Sequence, residues 1–201
     1  MRRTEAAPDP DAALRPVTLP ASWDDSAAAA LAALAPGEGA VTLAAAAQAW
    51  ITPVAADAGS PLADRLHRLL LLRRGAPTEA VWHCRAGDAP GFVLNLPAFL
   101  DSDGQFDLAD FALAVETAVI ALTAAAPDAR DIDVGMADLA GLLAHLGIDY
   151  GSEAARDVAR GLAAVLRGRA DAASGRLARP GHALRPADCD WRAPSADTPV
   201  R

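Results

Sequence analysis

A leucine pattern marks residues 134–152 as the best defined segment of the chain. Its large apolar residues recur at intervals of three, one and three, which places them on one helical face: Leu139, Leu142, Leu143 and Leu146. Gly147 follows the last leucine, where a residue with positive φ commonly closes a helix. The pattern predicts a turn at Gly135, a helix, and a stop at Gly147.

A second helix is predicted directly after this one. Ser152 is placed to cap it, and Ile148 and Tyr150 are expected to pack back on the first helix. The predicted apolar face of the second helix consists of Ala155, Val158, Ala159, Leu162, Val165 and Leu166. The segment is therefore predicted to form a helical hairpin.

Capping residues and prolines predict three helices in the first third of the chain. Asp24, Asp25 and Ser26 offer N-caps to an Ala/Leu helix that ends near residue 36. The next helix spans about residues 41–51 and is limited by Pro53. Ser60 as cap then begins a helix over about 61–74.

A longer helix is predicted after Asp107, its N-cap. Phe106 and Phe111 occupy the two positions of a hydrophobic staple. The helix dipole favours the negatively charged Asp110 in the first turn. The helix ends before Pro127. Its spacing predicts a buried stripe made of Leu108, Phe111, Val115, Val119 and Leu122.

Short strands are predicted at residues 80–85, 92–96 and 131–134. The predicted fold class is mainly α: an Ala/Leu-rich helical domain with two or three short strands. Residues 1–20, with four prolines, are predicted to be a flexible lead-in, and residues 173–201 a flexible Pro-rich tail. Between them, residues 21–172 are predicted as a single domain, with N-terminal helices at 21–75.

Charge and composition narrow the function classes. The net charge of −8 disfavours nucleic acid as a partner. All 18 basic residues are Arg, which excludes a Schiff-base or phosphate-loop lysine and which we attribute to a GC-rich bacterial genome. No apolar run follows the N-terminal arginines, and no stretch of about 18 residues is apolar throughout. We therefore expect a cytoplasmic protein with no signal peptide and no membrane span.

Few residues are candidates for chemistry. Arg65, Arg68 and Arg85, with the Gly- and Pro-containing loop at residues 85–92, could bind a nucleotide phosphate, although a solvated helix face is the simpler explanation for the first two. Cys84 and Cys189 lie far apart and form no metal-binding or disulfide pattern. We therefore predict no catalytic residue, no metal site and no cofactor.

The order of motifs in the second half of the chain is distinctive. Leu94-Asn95-Leu96 precedes Phe106-Asp107, and the long helix precedes the hairpin. The hairpin then has a characteristic set of residues: Gly135, Leu139, Leu142, Leu143, Leu146, Gly147, Ile148, Tyr150, Ser152, Glu153, Ala154 and Arg156. Over about residues 90–180 the chain resembles the large subunit of ribonucleotide reductase, most closely its adenosylcobalamin-dependent class. The resemblance implies a helical slice of the reductase barrel.

The chemistry that this resemblance implies needs residues that the chain lacks. The family uses a radical-bearing Cys in an N-x-C-x-E sequence, whereas Asn95 is the only Asn here, and a reducing cysteine of the family corresponds to a position near Ala89. We therefore expect a non-catalytic reductase-like protein, an interaction or regulatory module in nucleotide metabolism, whose partner is a reductase subunit or a second copy. The alternative is a nucleotide-binding protein or enzyme that uses Arg65, Arg68 and the 85–92 loop.

Overall fold

The computed structural model describes residues 1–177, apart from Pro10, Pro36, Glu38, residues 57–59 and residues 86–88. Within that part, seven α-helices, one 3-10 helix and six short strands are present, and the strands form two three-stranded sheets. The predicted mainly α fold with small sheets is confirmed. One cluster of buried side chains runs from the first sheet to the last helix.

The N-terminal sheet contains β1 (Arg2–Ala6), β2 (Arg15–Leu19) and β3 (Val41–Thr42), with β2 in the middle. β1 pairs antiparallel and β3 parallel to β2. The prediction of a flexible lead-in over residues 1–20 is wrong, because β1 and β2 form there. Val17 and Leu19 alternate with more exposed residues and are fully buried, a period-two pattern that the neighbouring prolines obscured.

Buried Arg15 joins this sheet to the first helix, α1 (Asp25–Leu34). Its guanidinium donates to the Ala32 and Ala35 carbonyls, both at 3.1 Å, and to the Gly39 carbonyl at 3.0 Å. It therefore binds carbonyl groups that the end of a helix leaves without partners. At the other end of α1, Asp24 accepts from the Ala27 N–H at 2.8 Å, as predicted.

The next helix, α2 (Leu43–Ala55), is capped by Thr42 and continues through Pro53. The prediction that Pro53 limits this helix is wrong, because a proline in the final turns removes one hydrogen bond without preventing the helix from continuing. The carbonyl four residues earlier, that of Ala49, instead has the Cys84 Sγ at 3.8 Å. A distant thiol thus occupies the place of the missing amide.

Helix α3 (Ser60–Leu71) agrees with the predicted 61–74 segment except at its end. Leu62, Leu66, Leu69 and Leu70 are buried. Beyond the last turn, Arg73 adopts a left-handed conformation with φ of 55°, and the Arg74 N–H donates to the Leu69 carbonyl at 2.8 Å. This closure ends the helix before residue 74.

The second sheet contains β4 (Gly75–Pro77), β5 (Gly91–Asn95) and β6 (Asp133–Ala137), with β5 in the middle. β4 is antiparallel and β6 parallel to β5. The predicted strands at 92–96 and 131–134 correspond to β5 and β6. The third, at 80–85, is wrong: α4 (Glu79–Trp82) forms there, since the Trp82 and His83 N–H groups donate to Thr78 and Glu79 carbonyls.

A 3-10 helix (Leu96–Phe99) and the long helix α5 (Leu108–Ala125) follow β5. Asp107 accepts from the Asp110 N–H at 2.9 Å, and the Phe106 and Phe111 rings lie 5.5 Å apart, which confirms the predicted cap and staple. By length and composition α5 could cross a membrane, with a mean hydropathy of 1.7, but half of it is buried inside this fold. It is the central core helix.

The helical hairpin consists of α6 (Leu139–His145) and α7 (Glu153–Leu177). Gly147 has a φ of 68° and Ser152 accepts from the Ala155 N–H at 3.1 Å, so both predicted boundaries are confirmed. The predicted turn at Gly135 is wrong, because β6 continues through it and the chain turns at Asp138, with φ of 61°. Tyr150 is 67% exposed and does not pack back as predicted.

Candidate functional site

The three arginines predicted to bind phosphate lie on two different helical segments. Arg65 and Arg68 are exposed on α3, and Arg68 is 3.6 Å from the Asp110 carboxylate of α5. Arg85 follows α4 and lies 3.9 Å from Glu79. Arg68 and Arg85 therefore have separate carboxylate partners. Residues 86–88 of the predicted loop lie outside the described residues.

Arg74, which directly follows the α3 closure, is the more deeply placed cation. Its Nε donates to the Ala98 carbonyl at 3.1 Å, its Nη1 is in close contact with Asp110, and its guanidinium lies 5.1 Å from the Phe99 ring centroid. These contacts join the start of β4 to the 3-10 helix and α5. They satisfy the guanidinium internally, so Arg74 serves the fold and is not a free phosphate ligand.

A cavity of about 320 Å³ lies between the α1–α3 region and the outer face of the second sheet. Its lining is mainly apolar and includes Trp23, Leu34, Leu70, Trp82 and Val93. Two polar residues also line it. Arg73 lies over the Trp23 ring at 5.5 Å and 3.7 Å from Asp24, and Asn95 Nδ2 donates to the Arg73 carbonyl at 3.1 Å. The sequence did not predict this cavity.

The exposed Cys84 does not form a nucleophilic pair with His83. It lies after α4 with a φ of 53°, and its Sγ faces the Ala49 carbonyl. His83 Nε2 lies 3.8 Å from Glu79 instead. Cys189 lies outside the described residues. The contacts of Cys84 are those of a packing thiol and not of an activated nucleophile.

His145 has a local backbone partner. His145 Nδ1 lies 2.8 Å from the Gly141 carbonyl, one turn earlier on α6. In residues 1–177, outside the gaps given above, no three His, Cys, Asp or Glu side chains are grouped in a way that could hold a metal ion.

The start of α7 carries the clearest electrostatic perturbation. Glu153 accepts from Arg160 and from Arg156, each at 2.8 Å. These two hydrogen bonds, the one from Arg160 first, lower the pKa of the Glu153 carboxyl, and the same contact with Glu153 raises the pKa of Arg160. The network stabilises the N-terminus of α7.

The second sheet is covered unequally. Phe92 and Leu94 of β5 are buried on one face, whereas Val93, which points to the other face, is 42% exposed. β6 is an outer strand, and its Met136 is 37% exposed. Exposed apolar side chains beside a free strand edge favour contact with another protein.

Comparison with known families agrees with the resemblance seen in the motifs. Residues 93–185 match the family described as the barrel domain of ribonucleotide reductase. The matched segment is just under half of the chain and supports a relationship to the reductase large subunit. No curated protein matches the chain.

Proposed function

We propose, from the similarity of residues 93–185 to the reductase barrel domain, that this protein is a non-catalytic relative of the ribonucleotide reductase large subunit. In this proposal it is a cytoplasmic interaction or regulatory module in nucleotide metabolism, and its partner is a reductase subunit. Within the family, the spacing from Gly135 to Arg156 favours the adenosylcobalamin-dependent class.

The cysteine content carries the non-catalytic part of the proposal. Ribonucleotide reduction in this family needs one radical-bearing Cys and two reducing Cys, and the sequence contains two in all. Cys84 is exposed after α4, outside the matched segment. A thiyl radical must be shielded from water, and an exposed thiol offers no such protection.

The face of the second sheet that carries Val93 supports the interaction part. Val93, at the start of the matched segment, is exposed there beside the apolar cavity. A barrel buries both faces and both edges of its strands, whereas in the described residues this three-stranded sheet leaves Val93 partly exposed on the face toward the cavity and the edge of β6 without a strand partner. A partner that covers this face would bury apolar area now in contact with water.

The first test is an activity assay of the purified full chain. Incubation with ribonucleoside di- or triphosphates, a dithiol and adenosylcobalamin should give no deoxyribonucleotide. Adding the chain to a separate reductase should change that enzyme's rate. Turnover by the chain alone that is lost on Cys84→Ser would contradict the proposal.

Matched variants test the contact face. Val93→Asp should abolish the effect on the reductase, whereas Leu113→Asp, at an apolar position of α5 with 39% exposure, should leave it intact. Circular dichroism shows whether both variants are folded. An equal effect of the two substitutions would exclude this face as the contact surface.

A nucleotide-binding protein is the second candidate function, and the cavity beside Trp23 and Trp82 favours it. The base of a nucleotide could stack on an indole ring while Arg73 faces the phosphate of the same nucleotide. Tryptophan fluorescence titrated with nucleotides tests this. Saturable quenching that is lost in Trp23→Phe but kept in Arg65→Ala would place the nucleotide in the cavity. The reverse result would place it at the arginines of α3. No quenching would contradict nucleotide binding and favour the interaction module.

A further inference from the structure

β6 leaves one edge without a partner strand in the part of the chain that the structure describes. It pairs only with β5, and Gly135 and Met136 are exposed. An unpaired strand edge presents N–H and C=O groups that can extend the sheet by binding another strand.

The backbone direction along β6 identifies which residues face this edge. The Asp133 N–H donates to the Pro90 carbonyl at 2.9 Å, so Asp133 directs its backbone groups toward β5. These directions alternate along a strand, so Gly135 and Ala137 also face β5. Val134 and Met136 therefore direct their N–H and C=O groups outward.

A two-fold axis at Gly135 gives the longest antiparallel pairing of β6 with a second copy. If two copies pair antiparallel around a two-fold axis at Gly135, all five strand residues are aligned. Val134 then lies opposite Met136 of the second copy, and both direct their backbone groups to the interface, as a hydrogen-bonded pair requires. Registers centred on Val134 or Met136 align only three residues of the strand.

The side chains fit the same register. Val134 and Met136 lie on one face of the strand, so each apolar side chain meets the other across the axis. Asp133, the only charged residue of β6, lies opposite Ala137 and meets no like charge. The strand has none of the lysines, prolines or inward charges that commonly protect an edge.

We propose that this protein forms a two-fold symmetric dimer in which the β6 strands of two copies pair antiparallel about Gly135, joining two three-stranded sheets into one of six. The inference concerns self-association and does not depend on the relationship to ribonucleotide reductase.

Mass measurement tests the association. Light scattering after size exclusion should give twice the chain mass of 20.6 kDa at high concentration and a lower mass on dilution. Met136→Lys should be monomeric at every concentration, because it places a charge at the interface. Val93→Lys, on the middle strand, should stay dimeric, and melting curves confirm that both variants fold. A monomeric wild type at all concentrations would overturn the proposal, as would a dimeric Met136→Lys.

Cysteine cross-linking tests the register, in a chain carrying Cys84→Ser and Cys189→Ser. A Cβ at Gly135 meets open space, and in a non-hydrogen-bonded antiparallel pair the two Cα atoms lie about 4.5 Å apart, within reach of a disulfide. Gly135→Cys should therefore form a disulfide-linked dimer under mild oxidation. Ala137→Cys should not, since a four-residue offset separates its two copies by about 13 Å along the strands. Equal yields from both variants, or none from Gly135→Cys, would overturn the pairing.

Discussion

Two helical glycines have different surroundings that the sequence does not distinguish. A Cβ on Gly141 would lie 2.5 Å from both carboxylate oxygens of Asp138, which caps α6 through the Gly141 N–H at 2.9 Å. A Cβ on Gly168, in α7, would meet nothing within 4 Å. The first glycine protects a cap, and the second is dispensable.

Alanine substitution should separate these two roles. We expect Gly141→Ala to lower the free energy of unfolding by about 1 kcal/mol, because it displaces the capping carboxylate. Gly168→Ala should raise it by about 0.5–1 kcal/mol through helix propensity. Urea unfolding measures both. If the loss in Gly141→Ala arises from the cap, it should be absent in an Asp138→Ala background.

Glu153 should give α7 a dependence on acid pH. Its pKa is lowered below its ordinary value of 4.5 by Arg160 and Arg156, so its contribution is fully present above that value and is lost as the pH falls through the lowered pKa. Carbon NMR of the Glu153 carboxyl should show the low midpoint, and Arg160→Gln should move it up. A midpoint unaffected by Arg160→Gln would show that the hydrogen bond does not form in solution.

At the scale of elements, the two inner leucines of α6 are not equivalent to the outer two. Leu142 and Leu143 are buried, whereas Leu139 and Leu146 are partly buried beside the core. Leu142→Ala should therefore cost about 2–4 kcal/mol, and Leu146→Ala clearly less. Thermal or urea unfolding of the pair checks this, and equal losses would show that the leucine stripe is buried uniformly.

Helix boundaries could be predicted from the sequence because capping is local. Asp24, Asp107 and Ser152 each bind an N–H three residues away, so a few adjacent residues contain the information. Strands β1 and β2 were missed because the neighbouring prolines obscure their pattern, and β4 was missed because it has only three residues. The helix α4 was predicted as a strand because four residues show no clear period.

The candidate site was less predictable than the fold. That Arg68 and Arg85 pair with different carboxylates depends on where α3, α4 and α5 come to lie. The free edge of β6 depends on the strand order within the sheet, which no local pattern encodes. The sequence predicted a strand that ends at Val134, but neither its continuation through Gly135 and Met136 nor its place at the edge of the sheet.

On the scale of the whole molecule, the N-terminal sheet belongs to the core. Val17→Asp should prevent folding, because Val17 is fully buried between β1 and β3 in the shared cluster. Thr18→Asp, one residue later on the opposite face and only half-buried, should leave a cooperative melt. Circular dichroism with thermal unfolding compares the two, and a folded Val17→Asp would show that residues 1–20 are dispensable.

The Arg15 contacts with the end of α1 also affect behaviour in alkaline solution. A guanidinium keeps its proton at pH values where a lysine amine is losing its own. Because all 18 basic residues are Arg, this contact and the one between Arg74 and Asp110 both use guanidinium groups and no lysine amine. The folded chain should therefore keep its side-chain positive charges nearly constant from neutral to strongly alkaline buffer. Its free energy of unfolding should fall sooner toward acid pH than toward alkaline pH.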